Sequence, residues 1–170
     1  MAHIVNESKT KPYRYFIAYL LDDLDIGAKF QPSALHIITL PWFALETDEG
    51  PFLNWFYDHF DKLQAFNAIV GEPKMFGPKR DVPVSIMEPQ RKFMQLHMLA
   101  LSWFGKVGAR WAEKDPYVGN DYVPHVAQRR GFVLKEGQIM PISSLTLVKA
   151  TRREDHIRQV AARAQFHEQN

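Results

Sequence analysis

Two one-sided helical stripes, each opened by a proline, most tightly limit how this chain can fold. After Gly50-Pro51, the residues Phe52, Phe56, Phe60 and Leu63 recur at spacings of four, four and three, while Asn54, Asp58, Asp61 and Lys62 fall elsewhere. Thr47 or Asp48 can cap this helix, and a proline near its first position gives up no hydrogen bond, because the N–H there has no partner. After Pro89, the residues Phe93, Leu96, Ala100 and Phe104 repeat the pattern until Gly105 and Gly108, with His97 beside the stripe. Each stripe must pack on something apolar.

The remaining runs read as strands. Tyr13 to Leu21 and Leu35 to Phe43 are rich in aromatic and β-favouring residues, with a loop predicted between them around Gly27 and Pro32. Ala68 to Val70 and Val82 to Met87 predict two strands of a bent hairpin, joined through Gly71, Pro73, Gly77 and Pro78. A short strand follows Pro124, and Leu145 and Leu147 alternate with Ser144 and Thr146 in another strand over Ile142 to Val148. Thr151-Arg152-Arg153-Glu154 has the form of a capping box, and Ile157, Val160, Ala161 and Ala164 give a modest apolar face, so 151–170 is expected to be a helical tail. The resulting order is an α+β arrangement of two similar strand-helix halves in a single domain over 1–170, with a flexible polar N-terminus over 1–11.

Composition removes several chemistries. A chain of 170 residues without cysteine has no disulfide framework, thiolate nucleophile or cysteine-based metal site. No apolar run approaches the roughly 20 residues of a membrane span, and the N-terminal segment resembles neither a secretory signal nor a transit peptide, so the expected location is the cytoplasm, without membrane contact. A formal net charge of +2 is too small for a protein that coats nucleic acid, although it leaves room for a local basic patch around a phosphate. No Gly-rich phosphate loop, nucleophile elbow or metal-ligand spacing appears. His59, His97, His156 and His167 read as structural or exposed, and neither a metal nor a cofactor is expected.

The chemistry points instead to two short segments, Leu35-His36-Ile37-Ile38-Thr39-Leu40-Pro41 and Pro124-His125-Val126-Ala127-Gln128. Each sets a histidine in an apolar, strand-like run with a polar side chain three residues on. Imidazole alone exchanges a proton near neutral pH without a perturbed pKa, so two imidazoles on one concave face can serve as an acid and base pair.

The element order and these two segments together resemble the 2H phosphoesterase superfamily, which includes 2'-5' RNA ligase-like proteins and cyclic nucleotide phosphodiesterases. The resemblance implies a bilobal domain with antiparallel sheets around a central cleft, helices on the outside, and His36 and His125 as a metal-independent catalytic pair. It also implies action on RNA 2',3'-cyclic phosphate ends, 2'-5' phosphodiester linkages or small cyclic nucleotides. The family motif has threonine or serine two residues after each histidine. This sequence has Ile38 and Ala127 there, and the polar residues Thr39 and Gln128 come one position later. Strand alternation turns such residues to the opposite face unless a bulge resets it. A nucleotide-binding protein without catalysis on the same fold is therefore the rival expectation.

Thr39 and Gln128 are candidates to hold phosphoryl oxygens under this reading. Arg129 and Arg130 follow the second segment, where a guanidinium can pair with phosphate, against the plainer role of a solvated turn. Trp42 can stack on a base, although an aromatic content of 13% makes core packing the simpler role. Lys74, Lys79 and Arg80 read as an ordinary exposed loop, and Arg152, Arg153, Arg158 and Arg163 as a solvated face of the tail helix. A monomer is the expected state.

Overall fold

The computed structural model describes residues 13–31, 35–106, 108–129, 134–151 and 157–168. In chain order it contains β1 (Tyr13–Leu20), β2 (Lys29–Phe30), β3 (His36–Leu45), α1 (Glu49–Phe60), β4 (Phe66–Phe76), β5 (Val82–Glu88) and α2 (Gln90–Phe104). There follow β6 (Ala109–Trp111), a 3₁₀ turn at Gly119–Asp121, β7 (His125–Ala127), β8 (Ile139–Ile142), β9 (Ser144–Thr151) and β10 (Arg158–Gln165). A six-stranded sheet has the order β2-β10-β9-β1-β3-β6, and a four-stranded sheet has the order β7-β5-β4-β8. The named pairings in both are antiparallel. The chain is an α+β single domain in which β3 of the larger sheet runs beside β7 of the smaller.

Both helices form where their stripes require. Asp48 takes the N-cap position of α1, Pro51 lies in its first turn, and Phe52, Phe56 and Phe60 are buried. In α2 the buried stripe is Phe93, Leu96, His97, Ala100 and Trp103, so the imidazole lies within the stripe and Phe104 packs only partly. One continuous core joins these helices to Ile17, Ile37, Leu40 and Phe43 of the larger sheet and to Ala68, Val70, Met87 and Ile142 of the smaller. Each buried phenylalanine contributes on the order of 1.5–3 kcal/mol through removal of apolar surface from water.

The other face of the larger sheet carries a second, smaller cluster of Phe16, Ala18, Leu20, Val148 and Val160, with Ile38 and Trp42 against it. Residues directly opposed on neighbouring strands share a face. The rows Val160–Val148–Phe16 and Arg158–Ala150–Arg14 therefore set two arginines beside that cluster.

Three expectations are corrected. Residues 158–165 form strand β10, not a helix: Val160, Ala162 and Ala164 are buried, and pairing with β9 and β2 satisfies the backbone that a helix would have satisfied internally. The capping-box residues 152–154, like the N-terminal 1–11 and Arg130, lie outside the described residues. Gly71 and Pro73 lie inside β4, where the pairing with β5 shifts register between Val70 and Pro73. A Cβ on Gly71 would stand 2.9 Å from the Ile86 carbonyl oxygen, so the close strand approach there requires glycine. The run over 142–148 divides into β8 and β9, which belong to different sheets, and β2 and β6 were not foreseen because each is only two or three residues long.

Candidate active site

His125 opens strand β7 and lines a cavity of about 330 Å³. The walls come from Ile38 and Pro41 of β3, from Phe76 and Val84 of the β4–β5 hairpin, and from the segment 115–123 that precedes the histidine. Phe76 and Tyr117 stack on each other with ring centroids 4.8 Å apart, and the His125 ring meets Phe76 edge-on at the same distance. The Asp115 carboxylate accepts the Tyr117 backbone N–H at 2.7 Å, which fixes the turn that presents Tyr117.

The His125 tautomer follows from its partner. Nδ1 lies 2.7 Å from the Val123 carbonyl oxygen, an acceptor only, so Nδ1 carries the proton and Nε2 of the neutral ring keeps its lone pair. Burial lowers the His125 pKa from its usual value, outweighing the opposite pull of the Val123 carbonyl and of Asp115. The neutral, proton-accepting form is favoured near pH 7.

His36 stands at the start of β3, opposite Leu20, on the face of the sheet that carries Phe16. Its ring centroid is 5.5 Å from that of Phe16, whose other edge meets Trp42 at 4.6 Å. His36 does not line the His125 cavity, but Ile38, two residues on, does, as does Ala127 two residues after His125. Both positions where the family motif carries a hydroxyl are thus apolar cavity wall.

The candidate phosphate-holding residues are placed elsewhere. Strand β3 is bulged at Thr39: Ala18 pairs with Ile38 and Ile17 with Leu40, so Thr39 is the extra residue. Its side chain is buried, and its carbonyl accepts a 2.7 Å hydrogen bond from His97 Nδ1. No such slip occurs at Gln128, whose side-chain amide lies 3.4 Å from the hydroxyl of buried Ser85 and lines no part of the cavity. Arg129 is exposed just after β7, and Trp42 is half-buried with the Arg14 guanidinium 4.1 Å from its ring centroid. Arg158, expected on a solvated helix, instead lies on β10 with its guanidinium 5.3 Å from the rings of both Phe16 and Trp42.

Tyr122 was missed as part of the site's scaffold, and the expectation of His97 as structural or exposed lacks its tie to the site. Tyr122 lines the cavity, donates its hydroxyl to the Ile38 carbonyl at 2.7 Å, and stacks flat on His97 with centroids 4.1 Å apart. His97 also accepts the Gly119 N–H at Nε2, 2.8 Å away. One imidazole therefore ties α2 to the β3 bulge and to the turn that carries the cavity wall. The available signal was its spacing, since Phe93, Leu96, His97 and Ala100 lie on one helical face.

No family model matches this sequence, and no curated protein gives a significant sequence match. Solved structures do match, over 92% of the chain in each case. A crystal structure of a phosphoesterase is 13% identical, with 99% of that chain covered and a TM-score of 0.61. TT0787 of Thermus thermophilus is 17% identical, with 100% covered and a TM-score of 0.63. E. coli LigT complexed with 3'-AMP is 14% identical, with 99% covered and a TM-score of 0.58. The chain has the LigT-like fold. In this chain the LigT-like fold brings the segment after His36 and the segment after His125 to one cavity wall, through the neighbouring strands β3 and β7. Among the described residues no helix is long and apolar enough to cross a membrane.

Proposed function

We propose that this protein is a phosphoesterase of the 2H type that acts without a metal on RNA 2',3'-cyclic phosphate ends, 2'-5' linkages or small cyclic nucleotides. The observation that carries the reading is His125: a part-buried imidazole at a cavity, its Nδ1 committed to a backbone carbonyl and its Nε2 left basic. LigT has been crystallised with 3'-AMP and with NADP+, which fits a nucleotide-sized ligand in the cleft of this fold.

In this reading His125 Nε2 takes a proton from the attacking water as the new P–O bond forms. The phosphorus–oxygen bond to the ribose breaks, and His36, on β3 two residues before the cavity-wall residue Ile38, gives a proton as imidazolium to the departing oxygen. The cyclic ester becomes a phosphate monoester and a free hydroxyl, so atoms and charge balance. Assay of a 2',3'-cyclic mononucleotide and a 2'-5' dinucleotide in EDTA should show turnover by the wild type. His125→Ala and His36→Ala should each lower it by about 10²–10⁴. Activity that survives either substitution, or that EDTA abolishes, removes the assignment.

The apolar side chains of Ile38 and Ala127 favour a second reading, in which the cleft binds nucleotides without turning them over. That reading predicts saturable binding of a 3'-nucleotide with no hydrolysis, and gain of hydrolysis in an Ile38→Thr, Ala127→Thr double variant that restores donors for the phosphoryl oxygens.

A further inference from the structure

Two arginines from distant parts of the chain converge on Trp42, and a third, Arg129, lies near one of them. The Arg14 guanidinium lies over the Trp42 ring at 4.1 Å and that of Arg158 at 5.3 Å. Arg129 and Arg14 are both close enough to Arg158 to disfavour its charge, while Glu113 favours it. Glu113 is 3.9 Å from Arg14, and its side chain is half exposed. Around Arg158, positive neighbours thus outnumber the one weakly held carboxylate, Glu113. The Arg14 Nε is buried and has no hydrogen-bond partner, which leaves a donor unsatisfied in the resting protein.

The cluster and the His125 cavity share Ile38, which lines the cavity and packs with Trp42 against the Phe16 cluster. Pro41, Asp115 and Ala127 of the cavity wall stand one or two residues in sequence from Trp42, Glu113 and Arg129. The cavity itself is mainly apolar, suited to a base or ribose. The cluster is suited to an anion, because guanidinium groups pair with phosphate oxygens through parallel hydrogen bonds.

From this juxtaposition we propose that Arg14, Arg129 and Arg158 form a subsite for a second phosphate, so that the preferred ligand is an oligonucleotide end and not a mononucleotide. The proposal rests on the nucleotide reading of the cleft and adds to it a requirement for at least two phosphates. It predicts selectivity, not catalysis.

The test compares two dinucleotides that end in a 3'-phosphate, one with a 5'-phosphate and one with a 5'-hydroxyl, by equilibrium binding at low salt. Such product-like ligands need no turnover. The 5'-phosphorylated ligand should bind about ten-fold more tightly, the value expected of one charge-assisted contact. Its affinity should also fall more steeply with salt, by about 0.7 in the logarithmic slope for the extra phosphate. Arg158→Gln should bring the ratio of the two affinities toward one, and Arg129→Gln, at an exposed position where folding is not at stake, should reduce it. A ratio of one in the wild type, or a ratio unchanged in both variants, overturns the subsite while leaving the nucleotide reading intact. Failure of both ligands to bind overturns both.

Discussion

His97 and His125 begin from the same arrangement and end in different roles. In each, Nδ1 donates at 2.7 Å to a backbone carbonyl, that of Thr39 or Val123, and burial lowers the ring's pKa more than the neighbouring groups raise it. The second nitrogen separates them. At His97, Nε2 accepts the Gly119 N–H, and Tyr122 closes the ring face, so every polar valence is used inside the protein. At His125, among the described residues no group donates to Nε2, and the ring stands at a cavity, edge-on to the stacked pair of Phe76 and Tyr117. A buried histidine with both nitrogens paired is a tie; one with a free lone pair at a cavity is available for chemistry.

The sharpest separation should come from substituting each ring by one of similar size. His125→Phe should lower cyclic phosphodiester turnover by about 10²–10⁴ at a smaller stability cost than His97→Phe, because it removes a proton acceptor and unpairs only the part-buried Val123 carbonyl. His97→Phe should act in the opposite sense. It leaves the Thr39 carbonyl and the Gly119 N–H unpaired in the interior, at about 1–3 kcal/mol each, so urea unfolding should show a loss of roughly 2–5 kcal/mol. Equal stability losses in the two variants would abolish the distinction.

Acid provides an intermediate test. Both imidazoles have folded-state pKa values below their unfolded ones, so between those values the unfolded chain binds more protons. Stability should be fully present above about pH 6.5 and should fall as the pH drops through the unfolded histidine pKa toward the lowered folded values. His97→Phe should flatten this dependence in unfolding experiments from pH 7 to 4. In the wild type the acidic, rising limb of the pH–rate profile reports the base His125 and should have its midpoint below about 6.5, and a midpoint above it would contradict a neutral His125.

The smallest effect is expected where the two regions meet. Tyr122→Phe keeps the stack on His97 and removes only the hydroxyl bonded to the Ile38 carbonyl. Stability should fall by about 1–3 kcal/mol, the cost of one unpaired buried acceptor. KM should rise more than kcat falls, since Ile38 is cavity wall and not a proton donor. A kcat loss as large as that of His125→Phe would place Tyr122 in the chemistry itself.

The contrast between the helices and the tail shows where the fold was legible. Stripes of four-residue spacing opened by prolines specify α1 and α2, because a helix that buries one face needs that spacing whatever it packs on. The run Ile157, Val160, Ala161 and Ala164 also fits a helix, yet β10 is a strand bulged at Ala161, where Val160 pairs with Val148 and Ala162 with Leu147. A bulge breaks the two-residue alternation and leaves a spacing that mimics a helix. The same effect moved Thr39: its bulge is a property of the pairing with β1 and has no local signature.

The sequence by itself determined the α+β class, the strand setting of His36 and His125, and the absence of hydroxyls two residues after each, since these depend on composition and short-range pattern. Only the tertiary structure decided which histidine has a free nitrogen and that Ile38 and Ala127 share one cavity wall. It alone brought Arg14 and Arg158 to one tryptophan, with Arg129 near Arg158. A ring nitrogen's partner and a guanidinium's neighbours come from residues tens of positions away, and strand register, which no local segment encodes, sets where they meet.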